Sequence, residues 1–108
     1  MDIIIIPTKS SKYFTPIHKI VFCQIELSKT IFHLADNETV ESDKGFDHFK
    51  NRFNTNRFFK PNQSHLININ HIEKVLFKKP PVIVMKNQAK ITVDIDKAES
   101  LFQIIENI

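Results

Sequence analysis

Apolar residues in this chain come mostly in short runs broken by polar pairs, the spacing of strands, and shift to helical spacing in two places. Ile3 to Ile6 reads as a buried first strand and Pro7 through Lys12 as an exposed loop rich in Ser and Lys. Pro16 opens the next element, in which Ile17, Ile20, Phe22 and Ile25 mark a strand reaching about Leu27. The polar bend Ser28-Lys29 leads to a partner strand from Thr30 to Ala35, and Asp36-Asn37 is a two-residue hairpin turn before an exposed strand from Glu38 to Asp43. At Phe46 the period lengthens. Phe46, Phe49 and Phe53 recur at helical spacing and leave Lys50, Asn51 and Arg52 outward, which predicts a short amphipathic helix from about 45 to 55. Later, Glu73 to Lys79 reads as a strand, Pro80-Pro81 breaks it, and Val82 to Met85 pairs with Ile91 to Val93 across a turn near Lys86-Asn87-Gln88. Asp96, with Glu99 three positions on, is the predicted cap of a last helix over about 97 to 107, whose apolar stripe is Ala98, Leu101, Phe102, Ile105 and Ile108.

Between the central helix and that hairpin lies the stretch Phe58-Phe59-Lys60-Pro61-Asn62-Gln63-Ser64-His65-Leu66-Ile67-Asn68-Ile69-Asn70-His71-Ile72, which reads as strand, polar bend, strand, turn and strand. Pro61 lacks an N–H and belongs at a strand end or edge, so Asn62 to Ser64 should be an exposed bend. Asn68 and Asn70 inside an apolar run suit a turn, because short amides bond nearby backbone. Phe46, Phe49, Phe53, Phe58, Ile67, Ile69, Ile72, Val84 and Leu101 are the predicted core.

This stretch resembles the LytTR DNA-binding domain family's segment F-x-R-x-H-R-S-Y, two aliphatics, N, aliphatic, x-x-I. Phe58 or Phe59, Ser64, Asn68 and Ile72 fall in register, Lys60 keeps the charge where the family commonly has arginine, Asn62 and Gln63 replace its basic pair, and His65 replaces its tyrosine. The order of elements from about Pro16 to Ile105 is also similar to the family's. The resemblance implies a mainly β fold of LytTR-like antiparallel sheets with two helices, a short central one and a C-terminal one, and residues 1 to 108 as a single domain.

Composition agrees with an ordinary globular protein: 42% hydrophobic and 25% charged over 108 residues is enough for one core and argues against disorder. The Ile3 to Ile6 run is too short for a bilayer span or a signal-peptide core, so no membrane contact and a cytoplasmic location are expected. The single cysteine, Cys23, sits in an apolar run and reads as a small buried hydrophobe. Charge is polarised. Between residues 57 and 90, Arg57, Lys60, Lys74, Lys78, Lys79, Lys86 and Lys90 face one acid, Glu73, a net of +6, whereas residues 36 to 47 carry five acids against Lys44, a net of −4. Such a molecule can offer a basic face to a polyanion, although a lysine-rich solvated strand face explains the same residues.

Familiar catalytic chemistry is not encoded. Gly45 is the only glycine, which excludes phosphate-cradling glycine loops. The histidines lack cysteine partners or an i, i+4 partner with an acid nearby, so no metal, no cofactor and no enzyme activity are expected. Nucleic-acid binding remains, since lysine neutralises phosphate and Asn or Gln pairs with the major-groove edge of adenine. Carried over by the resemblance, the DNA contacts are Ser28 and Lys29 after the first long strand, Lys60, Asn62, Gln63 and Ser64 around the bend, and Lys97 in the turn from Asp94 to Lys97. In that last turn Asp94 and Asp96 stand where the family tends to carry Ser-Arg, placing carboxylates toward phosphates. The implied function is transcription regulation by sequence-specific binding of double-stranded DNA, with a homodimer on DNA or a regulatory protein as further partner. The acids keep a second function open, a LytTR-like interaction module with weak or no DNA binding. Family members often follow a phosphorylated receiver domain; none lies within these 108 residues, which implies control through abundance or a partner, or a chain cut from a longer one.

Overall fold

β-branched and aromatic residues dominate the strands of this chain. The computed structural model describes residues 2–54 and 56–108. β1 (Ile3–Pro7) and β2 (Lys12–Pro16) form an antiparallel ribbon. β3 (Ile20–Ile25), β4 (Thr30–Leu34), β5 (Thr39–Ser42), β6 (Phe58–Asn62) and β7 (His65–Asn68) make a five-stranded antiparallel sheet in the order β5-β4-β3-β7-β6. β8 (Ile72–Leu76), β9 (Val82–Met85) and β10 (Lys90–Thr92) make a three-stranded sheet in the order β10-β9-β8, and α1 (Ala98–Glu106) follows.

The five-stranded sheet is a wall between two cores. Alternate residues of a strand point to opposite faces. Cys23, Phe32, Val40 and Leu66 therefore meet Ile4 and Ile6 of the ribbon and Phe49 in a first core. Phe22, Phe59 and Ile67 point the other way, onto Ile83, Met85 and Ile91 of the three-stranded sheet and Leu101 of α1. Asn68, 3% exposed, secures the wall where β7 ends: its Nδ2 donates to the Ile20 carbonyl at 3.0 Å and its Oδ1 accepts the Asn70 N–H at 3.0 Å. Ser42 ties ribbon to sheet, its hydroxyl donating to the Pro7 carbonyl at 2.6 Å. The hairpin turn at Asp36-Asn37 is present, with Asn37 left-handed at φ 66° and the Asp36 carboxylate accepting the Glu38 N–H.

The strand expected from Pro16 to about Leu27 begins only at Ile20, after a 3₁₀ turn at Ile17–Lys19, and ends at Ile25. Four further features differ from the sequence reading. The central helix predicted over 45 to 55 is replaced by two 3₁₀ turns, Phe46–His48 and Lys50–Arg52, so among the described residues there is one α-helix; Thr55, within the predicted span, lies outside them. Gly45, Asp47, His48 and Asn51 are weak helix formers, and 3₁₀ geometry still stacks side chains three apart, which sends Phe46 and Phe49 the same way. Phe49 is buried edge-on against Phe32 at 5.0 Å while Phe46 and Phe53 pack half-buried around it. The second difference is β2, which the sequence reading divided between loop and element start. Pro7 and Pro16 look like breaks, yet each sits at a ribbon end, opposite Lys12 and Ile3 respectively. Third, the strand expected over 73 to 79 ends at Leu76, leaving Phe77 77% exposed. Fourth, Asp96 is not the cap of the last helix. The chain enters α1 through a 3₁₀ turn, Ile95–Lys97, whose flanking residue is Asp94, and neither Asp94 nor Lys97 makes a capping side-chain bond. Of the expected stripe, Leu101 is buried but Ile108 is exposed.

On the wall's second face, at its β4 side, the His33 ring stacks on Phe22 at 4.1 Å and 12°, and His65 tilts against Phe22 at 5.8 Å. The His33 Nε2–H faces the Gln24 Oε1 at 3.3 Å, and the His65 Nδ1–H donates to the Asn62 Oδ1 at 3.0 Å, since an amide oxygen only accepts. Burial lowers both imidazoles below the ordinary histidine value, with the neighbouring His65 charge adding to the effect on His33.

Two predictions follow from this packing. Phe49→Ala should cost about 3–5 kcal/mol, read from the shift of a urea midpoint at constant m-value. As pH falls through about 6.5 the unfolded chain takes up protons that folded His33 and His65 refuse, so stability should drop on going from neutral to mildly acidic buffer. The His33→Gln, His65→Gln double variant should lose less over the same range; an unchanged drop would assign it to other groups.

Candidate nucleic-acid interface

Three connections meet at one end of the molecule: the β3–β4 loop, the β6–β7 bend, and the turn from β10 into α1. The Ile25 N–H donates to the Ser64 carbonyl at 2.7 Å, joining the first two. The Asn62 Nδ2 donates to the Thr92 carbonyl at 2.7 Å and the Asp94 N–H to the Pro61 carbonyl at 2.9 Å, joining the second to the third. The last contact depends on Pro61. A residue without an N–H belongs on an edge strand, and β6 is one, with a register irregularity between Phe59 and Asn62 that turns its carbonyl side to the neighbouring turn.

Each residue singled out from the sequence lies at this end, in different conditions. Gln63 is exposed at the apex of the bend and makes no side-chain hydrogen bond among the described residues. Ser64 is exposed while its backbone is held on both sides, its N–H donating to the Asn62 Oδ1 at 2.8 Å. The Asn62 oxygen is fully occupied, accepting from Ser64 and His65, and one of its two N–H groups donates to Thr92. Asn62 shapes the bend and has no free acceptor left for a two-bond amide contact. The exposed Lys60 ammonium lies 5.9 Å from the centroid of the Phe46 ring, at the outer limit of a cation–π contact. Ser28 is exposed in the β3–β4 loop, which the Glu26 N–H closes onto the Lys29 carbonyl at 3.1 Å. The Lys29 ammonium is 3.3 Å from Glu41 and 3.7 Å from Glu26, and the hydrogen bond to Glu41, with the charges of both acids, raises its proton affinity. Lys97 is exposed and forms no salt bridge among the described residues.

Four residues outside the contacts carried over by the resemblance border this surface, two of them, Lys78 and Lys79, from the basic run. Leu27 at the β3–β4 loop is 103% exposed and Ile95 in the third turn 78% exposed. An apolar residue flanked on both sides by polar loop residues was the available signal. Lys78 and Lys79 line a groove of about 470 Å³ with Ile95, Phe77 and Phe102, which brings part of the basic run to the third turn. A second cleft of about 440 Å³ runs between Leu27, Phe46, Gln63 and Ser64. Asp94 and Asp96 are exposed beside Ile95, so the surface carries both signs of charge. Among the described residues no cluster of His, Cys, Asp and Glu is placed to hold a metal ion, and no helix is long and apolar enough to cross a membrane.

Comparison with known proteins agrees with this architecture. No curated protein sequence matches the chain. Among solved structures, a LytTr DNA-binding domain from Bacillus cereus superimposes with a TM-score of 0.80 over 97% of each chain at 16% sequence identity, which establishes a shared fold. The sequence family described as "LytTr DNA-binding domain" matches residues 10–106. That match spans nearly all of the 108 residues, from inside the β1–β2 loop to the end of α1, and the protein belongs to the LytTr DNA-binding domain family.

Proposed function

We propose that the protein is a transcriptional regulator that binds double-stranded DNA in a sequence-specific manner, in the cytoplasm, by presenting the joined loops to the major groove. The observation that carries this reading is the set of three inter-loop hydrogen bonds, which joins the segments bearing Leu27, Lys29, Gln63, Ser64, Ile95 and Lys97. Pre-ordered loops lose little entropy on binding, so more of the contact energy appears as affinity.

The roles divide by chemistry. Gln63 is the base reader, because its amide is free and fits the N6 and N7 edge of adenine. Leu27 and Ile95 are placed to contact thymine methyl groups, the apolar feature of the same groove. Lys60, Lys97, Lys78 and Lys79 are assigned to phosphates. Lys29 joins them by exchanging its exposed carboxylate partners, contacts that salt screens readily, for phosphate oxygens. Ser28 and Ser64 hydroxyls serve as short-range donors to the backbone. Asn62 acts through the bend it shapes.

A second reading, an interaction module with little DNA affinity, draws on Asp94 and Asp96, whose carboxylates oppose a phosphate field from the same surface. Electrophoretic shift over random DNA fragments separates the two: binding by intact protein at low salt supports the first, and its absence supports the second. Within the first reading, Lys60→Ala should weaken binding to all sequences alike and lower the salt slope by about one unit. Gln63→Ala should cost about 1–3 kcal/mol on the best site and much less on random DNA. Asn62→Ala should weaken both together, since it disorders the bend. Asp94→Asn should raise affinity, with a gain that shrinks as salt rises; an affinity unaltered at every salt concentration would place that turn away from DNA.

A further inference from the structure

β8 is an outer strand whose inner side pairs with β9 through Ile72 and Met85, Lys74 and Val84, Val75 and Ile83, and Leu76 and Val82. Among the described residues no strand pairs with its other edge, so a row of backbone donors and acceptors is open to another strand. The surroundings are apolar. A groove of about 600 Å³ between this edge and α1 is bordered by Ile72, Val75, Phe77, Ile105 and Ile108, with Asn70 and Lys74 also on its rim; Phe77 and Ile108 are 77% and 84% exposed.

The sequence along this edge complements itself. The register shift between Ile72 and Lys74 leaves Ile72 and Val75 both bordering the groove, with exposed Glu73 and Lys74 between them and Lys74 at the groove's rim. Apolar, acid, base, apolar is the same pattern of matches when one copy is reversed against another. We propose that two copies of the chain pair through β8, antiparallel about a two-fold axis between Glu73 and Lys74, to make one six-stranded sheet. Ile72 then lies opposite Val75 of the partner copy along the groove, and Glu73 opposite Lys74 of the partner copy at the axis. Beyond the paired strands, Phe77 is brought toward Asn70 of the partner copy, a residue of the 3₁₀ turn Ile69–His71 at the rim of the same groove. A strand carrying only acids or only bases would leave one of Glu73 and Lys74 facing its own sign, whereas a second copy satisfies both, and twofold symmetry makes the contact with one patch.

Sedimentation equilibrium of the full chain without DNA tests this. The parent should show a concentration-dependent monomer–dimer equilibrium. Glu73→Lys alone or Lys74→Glu alone should weaken association about tenfold, because each turns two attractive cross-strand pairs into two repulsive ones. The Glu73→Lys, Lys74→Glu double variant should return to within about threefold of the parent, since it restores opposite signs across the axis. Phe77→Ser, at a position already in water, should also weaken the dimer. Amide exchange at Glu73 to Val75 should slow as concentration rises. A parent that stays monomeric, single reversals that leave association unaltered, or a double variant no better than either single one would each overturn the proposal.

Discussion

Everything in this fold depends on β3 being dry on both faces. Ile20, Val21, Phe22 and Cys23 are consecutive and all buried, which a strand allows only when separate apolar layers cover its two sides. The ribbon and the phenylalanine-rich 3₁₀ segment supply one layer, and the three-stranded sheet with α1 supplies the other. Neither layer has a second wall of its own to pack against. The fold should therefore respond cooperatively to damage at β3, because a change there loosens contacts on both sides at once. Cys23 illustrates the dryness: burial pushes its thiol far up, so that it stays protonated and behaves as a small hydrophobe.

Much of this was legible because strand patterning survives in the sequence. The unbroken apolar run of β3, the Asp36-Asn37 turn, the β9–β10 hairpin and the succession β6, bend, β7, turn, β8 all follow from period and turn chemistry. The central segment was read as helix because Phe46, Phe49 and Phe53 fit a 3.6-residue period, and a three-residue period fits the first two equally well. Local propensity, weakened by Gly45, Asp47 and Asn51, decided between them. The edge between β1 and β2 was hidden by prolines that break strands in isolation but cap them in a ribbon. Asp96 had the residue type and spacing of a cap, and tertiary bonding of the preceding turn to Pro61 moved the start of the helix past it.

For the candidate site, the sequence marked segments that the fold brings together, and was less informative about their side chains. The sequence could not say which amides remain free, because that depends on Thr92 reaching Asn62 from 30 residues away. Asn62 and Gln63 are neighbours of like chemistry. One is consumed by the scaffold and the other is open. Leu27 and Ile95 escaped notice for a related reason: a lone apolar residue in a polar loop is commonplace, and only the meeting of two such loops at one end gives them a shared surface.

The manner in which the loops are joined has an evolutionary consequence. Two of the three connecting bonds run between main-chain atoms, from Ile25 to Ser64 and from Asp94 to Pro61, and the third needs only the Asn62 side chain. The outward side chains at positions 27, 28, 63 and 95 thus bear none of the burden of holding the loops together. Under the proposed DNA-binding role, drift at those four positions alters what is recognised while the platform beneath stays the same, so a duplicated copy could diverge in target by point substitution alone.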